Sequence, residues 1–313
     1  MGVSRVSAPV AHIGHVELLT PRPRESLEFF RDLLGLEVTS TVGDSVYLRG
    51  YGDYQETGFK LTAATAPGLG HVGFRARSQE ALEACVAELR EGGVEGAWIG
   101  GDVGHGPAFG FDDPAGHRFE VYHEIERRRP PAGLPKNRLG ARGNGAIGVS
   151  RVDHFNLFAA DVAANRAFCE RFLGCRTLDL VLDDDGREVG AFTTLTNKPL
   201  DVVYTADGSG RDARLHHLAF WVDTREEVLR SADVCVDRGV EIEVAPALHT
   251  VGQSFFLYVF EPGGNRIEVT TGAELVLDPD GPPRVWTAAE RRAGVGWGTA
   301  FPDSWRTYGT PPA

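Results

Sequence analysis

Near its C-terminal end the chain alternates apolar side chains with a period of two. In HTVGQSFFLYVFEPGGNRIEVT (249–270), Phe256, Tyr258 and Phe260 alternate with Leu257 and Val259, the pattern of a half-buried strand. Pro262, Gly263 and Gly264 supply the fixed and positive φ angles of a hairpin turn. Pairing that is symmetrical about Gly263 sets Tyr258 opposite Glu268, so a phenol and a carboxylate share one sheet face. A carboxylate between Ile267 and Val269 is costly to bury unless a cation or strong donors meet it. The pattern therefore predicts a metal ion, and the question becomes what supplies the other ligands.

The patterning occurs twice along the chain. HIGHVELLTPRPRESLEFFRDLLGLEV (12–38) matches RVDHFNLFAADVAANRAFCERFLGCRT (151–177): a strand at a histidine, a loop, an amphipathic helix and a glycine stop. Leu27, Phe30, Leu33 and Leu34 share one helix face, and Phe168, Phe172 and Leu173 share the other. Gly35 and Gly174 stand where a helix C-cap glycine belongs. Segments 68–96 and 214–242 then match as strand, helix, turn and strand, and 109–122 and 257–270 as strand, turn and strand. His154 lies 139 residues after His15, His217 lies 146 after His71, and Glu268 lies 148 after Glu120. Mixed strands with helices on one face make each copy α+β. The other face carries His and Glu and must curl around something. Residues 126–147 read as a linker rich in Arg, Pro and Gly. The basic run Arg127–Arg129 reads as a solvated helix end. The tail, 276–313, predicts a short helix over 287–292 with a Thr287/Glu290 capping box, and its three tryptophans predict docking on the body.

Bulk composition narrows the class. A length of 313 residues accommodates two domains, and 42% hydrophobic with 24% charged residues is ordinary for a soluble globular chain. A net charge of −12 argues against nucleic acid and anionic membrane surfaces as partners. No apolar run is long enough to span a bilayer, and no secretory signal is legible, so a cytoplasmic location is expected. The start MGVSRVS superficially resembles a myristoylation site, but no basic patch or second anchor supports it. Cys85, Cys169, Cys175 and Cys235 form no CxxC pair and read as buried thiols.

In the second copy His154, His217 and Glu268 stand on three different strands. Two imidazoles and one carboxylate on one face of a cation leave its other positions open, the arrangement of non-haem Fe(II) oxygenases. His217 is preferred to His216 because the first copy has the single His71 there, which turns His216 to the opposite face.

RVDHFNLF, LHHLAFWV and HTVGQSFFLYVFEPGGNRIEV together resemble the type I extradiol ring-cleavage dioxygenases, of the catechol 2,3-dioxygenase and homoprotocatechuate 2,3-dioxygenase kind. The H…Y-x-x-E-P-x-G…E signature is specific, and the resemblance covers nearly the whole chain. It implies two tandem vicinal-oxygen-chelate (glyoxalase-like) domains, each of two βαβββ units, over 1–125 and 148–275, the first without an active metal. It implies Fe(II) or, in some members, Mn(II) held by His154, His217 and Glu268, with His249 and Tyr258 as a hydrogen-bonding pair beside it. Dioxygen and a catechol-type diol would be the substrates, and a homo-oligomer, dimer or tetramer, the assembly.

One departure stands out. The family commonly places an acid–base histidine in a segment that aligns with TLTNKPLDVVYT, where this chain has Leu200, and leucine moves no proton. Where homoprotocatechuate enzymes carry substrate-binding arginines, this chain reads Val244 and Leu248. With Phe192 and Leu200 these predict an apolar pocket and a specialised substrate, although Arg291 and Arg292 in the tail could reach a carboxylate. A metal-dependent isomerase or lyase on the same fold, and a non-catalytic module that binds an aromatic ligand, are the alternatives. His15, His71 and Glu120 of the first copy read as a relic of duplication in a cup filled by side chains; a second metal is the sharper alternative.

Overall fold

A computed structural model describes residues 8–129, 147–211, 213–278, 280–292, 295–298 and 300–311. The MGVSRVS start and most of the expected linker lie outside these residues. The first half runs β1 (Val10–Thr20), α1 (Pro23–Glu28), β2 (Glu37–Val42), β3 (Ser45–Arg49), β4 (Phe59–Ala63), β5 (Gly68–Ala76), α2 (Gln79–Glu91), β6 (Gly96–Ile99), β7 (Ala108–Asp112) and β8 (Arg118–Tyr122). The second runs β9 (Arg151–Ala159), α3 (Val162–Phe168), β10 (Arg176–Leu182), β11 (Glu188–Thr194), β12 (Val202–Ala206), β13 (Leu215–Trp221), α4 (Arg225–Asp237), β14 (Ile242–His249), β15 (Phe255–Phe260) and β16 (Arg266–Thr271). Each half is thus two βαβββ units, as expected.

The strands form two mixed sheets, ordered β2-β3-β4-β1-β5-β8-β7-β6 and, with the tail strands β17 (Arg284–Thr287) and β18 (Val295–Trp297), β17-β10-β11-β12-β9-β13-β16-β15-β14-β18. The middle of each sheet joins the two units through an antiparallel pair, β1 with β5 and β9 with β13. The hairpin register pairs Tyr258 with Glu268 and, in the other half, Gly110 with Glu120.

Helices pack on one sheet face because their apolar stripes leave no other option. α1 and α3 each run into a π-helical turn, Phe29–Leu33 and Cys169–Leu173, which buries Phe29, Phe30 and Leu33 in one half and Cys169, Phe172 and Leu173 in the other. Gly174 ends the second at φ 74, a left-handed conformation that glycine adopts without penalty. The Thr224/Glu227 capping box starts α4. All four cysteines are buried free thiols.

The two halves share one apolar core. Phe74 of β5 meets Phe155 of β9, and Phe30 after α1 meets Phe220 of β13, with ring centroids 6.2 and 6.0 Å apart. Polar seams join them too: Asn265 Nδ2 donates to Leu19 O at 2.9 Å and the Tyr204 hydroxyl to Asp113 Oδ2 at 2.8 Å.

The run Arg127–Arg129 is not a helix end. Arg127 bridges Gln55, and Arg128 donates from its backbone to Tyr54 O and from Nη1 to Tyr51 O, each at 2.9 Å. Its donors find carbonyls on the first half, so the segment stays extended.

The tail runs along the second half. β17 (Arg284–Thr287) adds to β10, and β18 (Val295–Trp297) to β14. Between them α5 (Ala288–Arg292) starts on a capping box, with Glu290 N–H donating to Thr287 Oγ1 at 3.1 Å and Thr287 N–H to Glu290 Oε2 at 2.7 Å. Trp286 Nε1 donates to Asp179 Oδ1 at 2.7 Å. α6 (Asp303–Thr307) sets Trp305 over the second sheet. Among the described residues no helix is long and apolar enough to cross a membrane.

Candidate metal centre

β9, β13, β16 and β15 are consecutive neighbours, and His154, His217, Glu268 and Tyr258 project from them toward one point. His154 Nε2 lies 3.2 Å from His217 Nε2 and 3.2 Å from Glu268 Oε2, and His217 Nε2 lies 3.1 Å from Glu268 Oε2. All three residues are at most 4% exposed. Both Glu268 oxygens are buried with no hydrogen-bond partner, a state no carboxylate holds without compensation. The edges of this triangle are those of an octahedral face with bonds of about 2.2 Å, so the donor set fits a hexacoordinate divalent cation.

Backbone irregularities make the convergence work. Register shifts bulge β9 at Asp153–His154 and β13 at His216. The first bulge lets Asp153 Oδ2 accept from His154 Nδ1 at 2.9 Å, which turns Nε2 toward Glu268. Lys198 holds Asp153 in turn, with Nζ 3.2 Å from Oδ1. The second corrects the expectation for His216. It does not point to the opposite face; its Nδ1 lies 2.7 Å from His217 Nδ1 and its ring packs 4.6 Å from that of Trp305. An extra residue in a bulge breaks the in-out alternation that the expectation assumed.

The electrostatics are those of a site built around charge. Burial disfavours the Glu268 anion, but the cation on His154 outweighs it and holds the carboxyl well below its usual range. Burial also opposes charge on His154, yet Glu268 and Asp153 raise it to about 9. Desolvation lowers His217 to about 4, only partly offset by Glu268. Without a metal, one proton thus balances the carboxylate.

Tyr258 and His249 stand beside the triangle. His249 Nε2 lies 3.2 Å from Tyr258 Oη and 3.8 Å from Glu268 Oε1, with its ring stacked 3.7 Å from that of Phe256. Burial, together with the Glu268 charge, pushes the Tyr258 phenol well above its usual range, so it stays a proton donor.

A cavity of about 370 Å³ opens onto these groups, within the range of small-ligand sites. Phe192 and Leu200 line it. Val244 and Leu248 do not. Val244 is buried beneath Tyr258 and Trp305, and Leu248 packs toward the core on the far side of β14. Nor is the lining wholly apolar: Arg291 and Arg306, both from the tail, contribute to it. Desolvation lowers Arg291 to about 10, which still leaves it charged at neutral pH. The side chain of Arg292 lies outside those described. Phe301 and Trp305 close the wall from the tail. Asp153 sits directly before His154 in the sequence, but strand alternation hides its reach, and nothing local marks Phe301 or Arg306.

The chain matches the family described as the Glyoxalase/Bleomycin resistance protein/Dioxygenase superfamily over residues 12–121 and 151–269. It is 40% identical to the metapyrocatechase of Geobacillus stearothermophilus over 96% of this chain and 94% of that one. The chain belongs to this superfamily, among its extradiol ring-cleaving dioxygenases. It is 32% identical to the manganese-dependent 2,3-dihydroxybiphenyl 1,2-dioxygenase of Geobacillus genomosp. 3, over 93% of this chain and 95% of that one. The homoprotocatechuate 2,3-dioxygenase of Arthrobacter globiformis superposes with a TM-score of 0.86 at 27% identity, covering 98% of this chain and 94% of that one. In the extradiol chain described here, the matched segments are the two halves that each carry a His/Glu cup.

Proposed function

We propose that this extradiol enzyme opens the ring of a catechol-type diol next to its vicinal hydroxyls, using dioxygen at a centre held by His154, His217 and Glu268. The observation that carries the reading is the buried triangle of two imidazole nitrogens and one unpartnered carboxylate oxygen facing a ligand-sized cavity. Fe(II), or Mn(II) as in the manganese-dependent relative, would lower the pKa of a bound diol and bring it together with dioxygen.

The chain's own side chains do the rest. Asp153 and His216 orient the two imidazoles. Tyr258, kept neutral, donates to a substrate oxygen, and His249, 3.2 Å from it, steadies charge that develops over the open side. Phe192 and Leu200 press on the ring, and Arg291 and Arg306 meet a substituent that bears acceptor oxygens. Both oxygen atoms end in an open-chain semialdehyde or keto acid. The work of the missing histidine falls to His249 or to a substrate acidic enough not to need it. The protein acts as a homo-oligomer in the cytoplasm.

The test is anaerobic reconstitution of chelator-stripped protein with Fe(II) or Mn(II), then oxygen uptake and yellow ring-fission product across a catechol panel with and without an acidic substituent. Turnover without oxygen would select an isomerase or lyase instead. Loaded protein that turns over no diol would leave only aromatic-ligand binding. Glu268→Ala should abolish tight metal binding by this half.

A further inference from the structure

The first half rebuilds the same kind of centre with other parts. β1, β5 and β8 are neighbours, as β9, β13 and β16 are, and they carry His15, His71 and Glu120. A further imidazole, His105, comes from the connection between β6 and β7, whereas His249 of the other half is the last residue of β14. Three Nε2 atoms face one oxygen: Glu120 Oε1 lies 3.4 Å from His15, 3.4 Å from His105 and 3.7 Å from His71. The side chains of His15, His105 and Glu120 are at most 5% exposed, and that of His71 is 14% exposed. Glu120 Oε1 and His105 Nε2 are buried with no hydrogen-bond partner, the same signature that Glu268 shows.

The opposite ring nitrogens are all engaged. His71 Nδ1 donates to Glu17 Oε2 at 2.7 Å, and His105 Nδ1 donates to Gly106 O at 2.8 Å. His15 Nδ1 lies 3.2 Å from the Tyr122 hydroxyl. Partners at Nδ1 are how a protein presents Nε2 to a cation. Glycines clear the space for them. A Cβ at Gly14 would fall 1.9 Å from the Tyr122 oxygen, one at Gly70 2.3 Å from Glu17 Oε2, and one at Gly73 2.3 Å from His15 Cε1. Gly14 and Gly70 occupy the bulges that hold Asp153 and His216 in the other half. The two cups therefore orient their imidazoles from different backbone positions: Tyr122 and Glu17 act in the first, where glycines stand at the places of Asp153 and His216.

We infer that His15, His71, His105 and Glu120 form a second divalent-cation site, independent of ring cleavage. His15, His105 and Glu120 place their donor atoms within 4.8 Å of one another, and a turn of the His71 ring toward His105 adds the fourth; a tetrahedral shell so closed leaves no position for substrate, so its role is structural, and Zn(II)-like ions suit its nitrogen-rich donors. The 2.8 Å between His15 Nε2 and His71 Nε2 must widen to the roughly 3.3 Å edge of a tetrahedral site with bonds near 2.0 Å. The first cup is thus occupied by side chains, as the duplication alone suggests, but these side chains are ligands.

The test is Co(II) binding to the chelator-stripped full chain, read as metal per chain and as the strong visible absorption of four-coordinate Co(II). Wild type is expected to bind two equivalents. Glu120→Gln and His105→Ala should each lose one, together with the visible bands, and keep the other. Glu268→Gln should lose the other equivalent and keep the bands, with a thermal midpoint that Co(II) still raises. A single equivalent in wild type, lost in Glu268→Gln, would overturn the inference. So would two equivalents that both survive in His105→Ala and Glu120→Gln. Because each half is read by its own variant, failure of the second-half centre is seen separately.

Discussion

At Leu200 the cavity wall is an aliphatic side chain, 7% exposed, on the loop that Lys198 and Asp201 pin beside His154. A histidine there would face the diol that the proposed centre binds. Leu200→His should raise turnover on simple catechols about 10–1,000-fold, a discount of about tenfold on the roughly 100–10,000-fold typical of a positioned proton carrier, because the new side chain is not pre-oriented. An unchanged or slower variant on every catechol in a steady-state panel would mean that the segment contributes shape rather than proton transfer. Asp53 makes a different residue-scale case. Burial raises its carboxyl to about 6, against the pull of the Gly50 amide and of Arg151, Arg49 and Arg128. The folded state holds this proton more tightly than the unfolded chain does. The group's contribution to stability is therefore whole below about pH 3.8 and is lost as pH rises through 6. Asp53→Asn should stabilise the fold at pH 8 by an amount on the order of 1–2 kcal/mol, seen as a higher thermal midpoint, and bring no gain at pH 4. Equal shifts at both pH values in calorimetry would remove titration as the cause.

Among the elements, α6 at the end of the tail is fastened to the second sheet largely through one side chain. Arg266, 1% exposed, pairs with Glu243 at 2.6 and 2.8 Å and donates to the carbonyls of His216, Ser304 and Tyr308 at 2.9–3.0 Å. It ties β16 to α6 and so sets Trp305 and Phe301 against the cavity. Arg266→Leu leaves the buried Glu243 with only the Ser304 hydroxyl and no cation, and should cost about 3–5 kcal/mol in urea unfolding. Where it still folds, KM should rise more than kcat falls, because the tail wall loosens while the triangle stays. A variant with unchanged KM would show that the tail does not shape the pocket. α4 offers a smaller effect: Thr224→Ala removes the acceptor of its capping box and should cost about 1 kcal/mol by the same measurement.

Across the whole molecule the two halves share one continuous apolar core. Phe74 and Phe155, Phe111 and Phe168, and Phe30 and Phe220 pack across the boundary, and Cys85 Sγ donates to Phe172 O at 3.3 Å. Separating them would expose a continuous apolar surface to water. Heating metal-free protein should therefore give one calorimetric transition, and residues 8–129 expressed alone should bind a hydrophobic dye or aggregate. Two resolved transitions would show that each half folds by its own core.

The duplication, the βαβββ order and the pairing of Tyr258 with Glu268 were legible in the chain alone. They depend on local chemistry: period-two alternation, glycine at left-handed turns, and a charged residue set in an apolar strand. The gathering of His154, His217 and Glu268 could be read only through the repeat, which supplied what a lone strand histidine lacks. Tertiary structure decided everything that crosses strands out of step with that alternation. His216 lies beside His217 because of a bulge, Val244 and Leu248 leave the pocket because β14 is irregular, and Arg291 and Arg306 enter it because the tail folds back. His105 has no counterpart among the aligned strand positions, since it comes from a connection whose path only packing determines. Periodicity tells which face a residue takes; where two faces meet depends on the path of the whole chain.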